Sequence, residues 1–146
     1  MRVVDGDTLD FLSVTGQRIR VRLAGIDAPE MAMPYGALAK TTLSQLVATR
    51  DVAVRATKRD RYGRSVAMVI TNEGDVSLAL IKRGLAWHYK RYAHEQTSGD
   101  AAAYARKESE ARLKRVGLWQ DERPVAPWQY RQCRRKSSAC SATEAN

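Results

Sequence analysis

The sequence VRLAGIDAPE, residues 21–30, predicts an apolar strand that ends in a turn carrying two carboxylates. Arg22 lies within the strand, the break falls at Gly25, and Asp27 and Glu30 follow. Charges at the end of a buried strand lose their hydration and need partners, so this arrangement is costly for a purely structural element. A phosphate group together with a hard metal ion would provide partners of both signs.

The strand before this turn belongs to a predicted β-hairpin that covers residues 7–24. Because strand side chains alternate, its returning strand has an apolar face towards a core and an opposite face that carries arginines. Regular alternation would place Asp7 and Arg22 on different faces. We therefore predict a distortion at Gly6 or Gly25 that brings the two side chains together.

The remaining patterns predict a helix after the third strand, two further strands, and then a short and a long helix. Further strands are indicated at Asp51–Thr57 and Arg64–Thr71, and helices at Tyr35–Thr49, Val76–Arg83 and Ala101–Val116. Short strands with helices set to one side make an α+β domain, and the count fits a five-stranded OB-fold β-barrel with about three helices. We expect this domain to cover residues 1–130, and residues 131–146 to form a basic, flexible tail.

The charge balance favours an anionic partner. The 146 residues include 25 lysines and arginines against 16 acidic residues, which gives a formal net charge of +9. Nucleic acid is the simplest such partner, although a basic protein without a polyanion partner fits the charge equally well. No apolar run approaches the ~20 residues of a membrane span, so we expect none. Cys133 and Cys140 could form a disulfide in an oxidising compartment or remain two free thiols.

Several short motifs are typical of turns when each is considered alone, among them DGDT at Asp5–Thr8 and DRYGR at Asp60–Arg64. Together with residues 21–30, their order and spacing resemble the staphylococcal nuclease family. Further matches extend this resemblance over nearly everything from Val3 to Trp119, at Tyr35–Ala39, Val76–Ala86 and Glu110–Trp119.

The resemblance implies an OB-fold nuclease that cleaves DNA and RNA with a calcium ion and leaves 3′-phosphate ends. By motif position it implies calcium ligands at Asp7, Asp27 and the backbone carbonyl of Ala28, and catalytic residues at Arg22, Glu30 and Arg64. Glu30 would be the general base, and the two arginines would hold the phosphate. From family habit we expect a monomer, secreted or periplasmic with a leader that precedes the present sequence; a cytoplasmic location is the alternative.

These residue types also suit phosphodiester hydrolysis on chemical grounds. Carboxylate and carbonyl oxygens are the ligands that a hard cation prefers, with water and phosphate completing its shell. Arginines can fork around the non-bridging oxygens and neutralise the charge that grows in the transition state. A carboxylate beside the attacking water can take its proton.

Two tyrosines, Tyr62 and Tyr89, lie among cationic residues and suit stacking on unpaired bases, so we predict that they contact substrate. Packing within the protein is the alternative for one of them. For the chain as a whole, the alternative function is a non-catalytic nucleic-acid-binding module on the same fold. The presence of both predicted metal carboxylates, Asp7 and Asp27, favours catalysis.

Overall fold

Strands of alternating apolar and polar residues build the sheet that organises the chain. The computed structural model describes residues 1–48 and 51–136. The strands are β1 (Arg2–Val3), β2 (Thr8–Leu12), β3 (Arg18–Leu23), β4 (Ile26–Asp27), β5 (Ala53–Arg59), β6 (Ser65–Thr71), β7 (Gly74–Asp75) and β8 (Trp87–His88). The main sheet has the order β1-β2-β3-β6-β5 with β7 added to β6, and β4 pairs separately with β8. Strands β3 and β6 are parallel, whereas β2 and β3 are antiparallel.

One helix separates β4 from β5, and the other helices follow β7. The helices are α1 (Gly36–Val47), α2 (Val76–Lys82), α3 (Ser98–Leu113) and α4 (Pro127–Lys136), with 3-10 segments at Lys90–Glu95 and Gly117–Gln120. The five-strand path with helices around it confirms the predicted α+β class of OB type. Within the described residues its two ends, β1 and β5, do not pair with each other. None of the helices in this part of the chain is both long and apolar enough to cross a membrane.

The core lies between the inner face of the sheet and helices α1 and α2. Leu9, Val21 and Leu23 from the hairpin are buried there against Leu43 and Leu80. The predicted alternation of β3 is therefore present near its end.

At the start of β3 the alternation does not lead into the core. Ile19, which the pattern placed on the core face, is 36% exposed. β3 pairs with β6 only from Val21, which lies opposite Ser65. The tip of the β2–β3 hairpin therefore extends beyond the end of β6. The outermost strand on the other side, β5, is exposed along its whole length.

The chain end differs from the tail that the sequence suggested. The predicted boundary at residue 130 falls inside α4, because Arg131–Lys136 is helical. Tyr130 is buried and anchors this helix on the body. Residues 137–146 lie outside the described residues, so a flexible tail stays a prediction there. Cys140 also lies outside the described residues, so the question whether it pairs with Cys133 of α4 stays open.

Candidate active site

A left-handed turn at Gly25 links the end of β3 to β4. Its φ angle is 77°, a conformation that glycine adopts without strain. A Cβ at this position would lie 2.5 Å from Nε2 of Gln96 and 2.9 Å from the ring of Tyr104. The carbonyl of Gly25 accepts a hydrogen bond of 2.9 Å from the backbone N–H of Tyr89. The turn is therefore fixed by close packing against Gln96 and Tyr104 and by the hydrogen bond from Tyr89.

A second distortion lies just before β2, where the chain bends through residues 5–7. Gly6 packs so closely that a Cβ there would lie 2.8 Å from the Cβ atoms of both Ala28 and Ala39. Asp7 accordingly precedes the regular strand and does not follow its alternation. The distortion predicted at Gly6 or Gly25 is present at both.

These two distortions bring two acids together beside one arginine. Asp7 is 7% exposed and Asp27 is 1% exposed. Nη2 of Arg22 lies 3.3 Å from Oδ2 of Asp7 and 3.2 Å from Oδ1 of Asp27. Its Nη1 donates hydrogen bonds of 3.0 Å to the carbonyls of Leu23 and Ile26, which fixes the guanidinium across the turn.

The carboxylates of Asp7 and Asp27 concentrate negative charge in a buried region of the protein. Burial raises the pKa of Asp27, and the charge of Asp7 adds to this effect against the opposing influence of nearby arginines. Burial, followed by repulsion from Asp7, likewise raises the pKa of Asp5 to about 6. A cation bound between these carboxylates would stabilise their ionised forms.

The donor set fits a hard cation with an open coordination shell. The backbone N–H of Ala28 donates a 2.8 Å hydrogen bond to Oδ2 of Asp7, so the three predicted calcium ligands Asp7, Asp27 and Ala28 are neighbours. Within residues 1–48 and 51–136, no group of three or more acidic, histidine or cysteine side chains is placed to hold a metal ion, so a site here relies on two carboxylates and a backbone carbonyl. A cation held by two carboxylates and a carbonyl would therefore keep positions for water and phosphate, as hydrolysis requires.

Arg131 of α4 is a site residue that the sequence did not reveal. It holds Asp27 with two hydrogen bonds, 2.7 Å to Oδ2 and 3.0 Å to Oδ1, and donates a third of 2.8 Å to Oε1 of Glu30. Although burial lowers the pKa of Arg131, its bonds and charge interactions with the two acids raise it on balance. The predicted general base Glu30 thus joins the carboxylate cluster through Arg131.

Arg64 lies apart from this cluster. Among the described residues its ion pair is with Asp60, at 2.7 Å between Nε and Oδ2. Oδ1 of Asp60 accepts the backbone N–H groups of Tyr62 and Arg64 at 2.9 and 3.0 Å, which forms the loop before β6. Burial raises the pKa of Asp60, but its bonds with Arg64 lower it overall. Arg64 precedes Ser65, the strand partner of Val21.

The two predicted substrate-binding tyrosines have different surroundings. Tyr62 is 70% exposed, with the guanidinium of Arg61 5.0 Å from its ring centroid. Tyr89 is half-buried, and its ring stacks on Trp128 of α4 at 5.2 Å with an angle of 20° between the planes. One face of Tyr89 is therefore covered by the same helix that carries Arg131.

Comparisons with known proteins identify the family of the chain. Residues 20–121 match the model of the family described as staphylococcal nuclease homologue. An uncharacterized endonuclease of Haemophilus influenzae is 38% identical over 131 residues, covering 90% of this chain and 70% of the relative. A micrococcal nuclease of Shigella flexneri is 36% identical over 147 residues, covering 94% and 82%. A staphylococcal-like nuclease of Arabidopsis thaliana is 41% identical over 122 residues, which cover 84% of this chain and 36% of that protein. The chain belongs to the staphylococcal nuclease family.

Proposed function

We propose that this protein is a calcium-dependent nuclease that hydrolyses phosphodiester bonds of DNA and RNA and leaves 3′-phosphate ends. The observation that carries the proposal is the buried pair Asp7 and Asp27 beside Arg22, at 3.3 and 3.2 Å from its Nη2. The names of the relatives, an endonuclease and a micrococcal nuclease, support it. So does the net charge of +9, which suits a polyanionic substrate.

Calcium would be held by Asp7, Asp27 and the backbone carbonyl of Ala28. When bound, it supplies Lewis-acid polarisation of the phosphate and a more acidic water. The protein contributes the fixed position of the carboxylates. Asp27 is 1% exposed, so its carboxylate is held in place before the cation arrives.

Arg22 stabilises the charge that develops on the phosphate. Its side chain is 14% exposed, and its hydrogen bonds to two backbone carbonyls orient it before substrate binds. A preoriented donor requires little reorganisation during the reaction, which makes its interaction with the transition state stronger than in water. Arg64 supplies a second guanidinium once the substrate draws it away from Asp60.

Glu30 acts as general base. Its side chain is 36% exposed, so water and substrate can reach its carboxylate. The carboxylate takes the proton from the attacking water as the new bond to phosphorus forms, and the bond from phosphorus to the 5′-oxygen breaks. The leaving 5′-oxygen takes up a proton from solvent, the product with a 3′-phosphate leaves, and Glu30 releases its own proton to solvent. Exposed Tyr62 provides a stacking surface for a base near the cut.

A cleavage assay tests this function directly. Plasmid DNA and a single-stranded RNA are incubated with the protein in calcium, then in excess chelator. We expect cleavage only in calcium, and a loss of about 10²–10³-fold in rate for Glu30→Gln, because the amide cannot accept the proton. Glu110→Gln is the matched control, since Glu110 pairs with Lys107 on the surface of α3. Failure of the intact protein to cut either nucleic acid in calcium would remove the proposal.

The alternative is a nucleic-acid-binding module without catalysis. One observation favours it, namely that Arg131 already satisfies both Asp27 and Glu30. This function predicts that the protein retains labelled oligonucleotides in a binding assay but leaves them uncut with or without calcium. The same pair of incubations therefore separates the two functions.

A further inference from the structure

We propose that helix α4 is a built-in competitor of the metal ion: the guanidinium of Arg131 holds the carboxylates of Asp27 and Glu30, and calcium, which would take Asp27 as a ligand, binds by displacing it. The inference rests on the proposed function above. It adds to that function one residue, Arg131, and a competition between its side chain and calcium that the function alone does not require.

The contacts at Asp27 make the competition direct. Its Oδ2 accepts from Nη2 of Arg131 at 2.7 Å, and its Oδ1 accepts both from Nη1 of Arg131 at 3.0 Å and from Arg22 at 3.2 Å. Both carboxylate oxygens are therefore engaged. Three of the roughly four lone-pair sites of this carboxylate are thus used. A cation that takes Asp27 as ligand would lie next to the guanidinium of Arg131, and the repulsion between the two positive charges favours displacement of the side chain.

The guanidinium also connects the two functional acids. Nη1 of Arg131 lies 2.8 Å from Oε1 of Glu30, so the predicted general base is engaged in the same interaction. In this state the carboxylate of Glu30 accepts a hydrogen bond from Arg131 instead of one from a water molecule. Displacement of one side chain would then free a metal ligand and the base together.

The rest of α4 keeps Arg131 near the site. Trp128, one turn earlier, stacks on Tyr89 and lies 5.3 Å from the ring of Trp87. Tyr130 is 6% exposed and anchors the helix on the body. A tethered side chain has a high effective concentration at the site, which makes it an efficient competitor.

Displacement of Arg131 does not require the helix to unfold. Its side chain is 37% exposed, in contrast to 1% for Asp27, so it can swing outward into water. An incoming phosphate is an alternative partner for a guanidinium with its fork of donors. Calcium and substrate are thus expected to release Arg131 together, which couples metal binding to the presence of nucleic acid.

Calcium titration of the full chain by calorimetry tests the competition. We expect Arg131→Gln to bind calcium about tenfold more tightly than the unmodified protein, because the competing state has lost its charge. Arg134→Gln is the matched control on the same helix, since Arg134 contacts only the ring and hydroxyl of Tyr130 among the contacts described for it. Equal or weaker calcium binding by Arg131→Gln would overturn the proposal.

Thermal unfolding gives a second readout that does not depend on activity. Without calcium, Arg131→Gln should lower Tm, because buried Asp27 loses its bidentate partner. With calcium, the rise in Tm should be larger for this variant than for the unmodified protein, since ligand binding stabilises the folded state in proportion to its affinity. An equal rise in both proteins would contradict the competition. If Arg131→Gln does not fold, Arg131→Lys replaces it. We expect Arg131→Lys to bind calcium more tightly than the unmodified protein, but less tightly than the tenfold gain predicted for Arg131→Gln.

The outcomes also separate this inference from the function on which it rests. Calcium-dependent cleavage with the same calcium affinity in all variants overturns the competition alone. No calcium binding and no cleavage by any variant overturns both.

Discussion

Arg22 makes two kinds of contact at once. One terminal nitrogen faces the carboxylates of Asp7 and Asp27, while the other donates to the carbonyls of Leu23 and Ile26. A planar guanidinium can do both because its donors point in fixed, different directions. Both terminal nitrogens are therefore engaged in defined directions, so shape as well as charge matters at this position.

Replacing Arg22 by lysine is therefore expected to abolish most activity. We predict that Arg22→Lys lowers kcat/KM for oligonucleotide cleavage by about 10²–10³-fold, because a point charge lacks the fork. The matched control is Arg20→Lys, on the same strand, where Arg20 pairs with Asp10 and is 43% exposed. Similar losses in the two variants, measured by initial cleavage rates, would contradict a special role for Arg22.

Asp7, Arg22 and Asp27 were predicted as neighbours because their motifs resemble those of the staphylococcal nuclease family, whereas strand alternation alone would place Asp7 and Arg22 on different faces. The sequence did not predict Arg131, whose partner Asp27 lies 104 positions earlier in the chain. No local periodicity encodes a contact between a turn and a helix that distant. The roles given to Glu30, Arg64, Tyr62 and the calcium ion stay predictions until they are measured.

Among the elements, helices α2 and α3 are joined by a buried polar contact. Asp75 caps α2 by accepting the backbone N–H of Ser77 at 2.9 Å, and the hydroxyl of Tyr104 on α3 donates to its other oxygen. Burial and the charge of Asp75 raise the pKa of Tyr104, so the phenol stays protonated and remains a donor. Tyr104 also lies beside the Gly25 turn, which links this contact to the site.

Removing this hydroxyl should destabilise the fold. We expect Tyr104→Phe to reduce the free energy of unfolding by about 1–3 kcal/mol, because the half-buried carboxylate of Asp75 loses a hydrogen-bond donor. Urea denaturation followed by circular dichroism measures the change. Tyr92→Phe serves as control, since Tyr92 is 37% exposed, and an equal effect there would argue against the α2–α3 contact.

Helix α1 was predicted from its apolar spacing, α2 from Asp75 at its start and Gly84 after its end, and α3 from its predicted ends and its charges of alternating sign. Helix α4 was not, since its sequence PWQYRQCRRK is dominated by polar and basic residues. Its folding depends on distant partners, the aromatic ring of Tyr89 for Trp128 and the acids for Arg131. Elements held by tertiary contacts of this kind leave little trace in local sequence.

At the scale of the whole molecule, the excess of positive charge governs the encounter with nucleic acid. Cations lie on several elements, including β5 and α4, so many can approach phosphates at once. Each phosphate contact releases condensed counterions, which makes affinity depend on salt. Long-range attraction of this kind acts before the site itself is engaged.

Binding should therefore weaken steeply as salt rises. We expect the Kd of Glu30→Gln for a single-stranded oligonucleotide in calcium to increase more than about tenfold between roughly 50 and 200 mM salt. This variant is used because slow cleavage leaves the ligand intact. Fluorescence anisotropy measures the affinity, and a Kd that does not change with salt would show that phosphate contacts do not dominate binding.

The full exposure of β5 has a consequence for the behaviour of the protein in concentrated solution. An outer strand offers unpaired backbone groups to which a second copy could add its own strand. This strand carries Arg55, Lys58 and Arg59, so two copies aligned along it would bring cations against cations. Electrostatic repulsion thus protects the open margin of the sheet from polymerisation, and the residues that favour polyanions also keep the molecules separate.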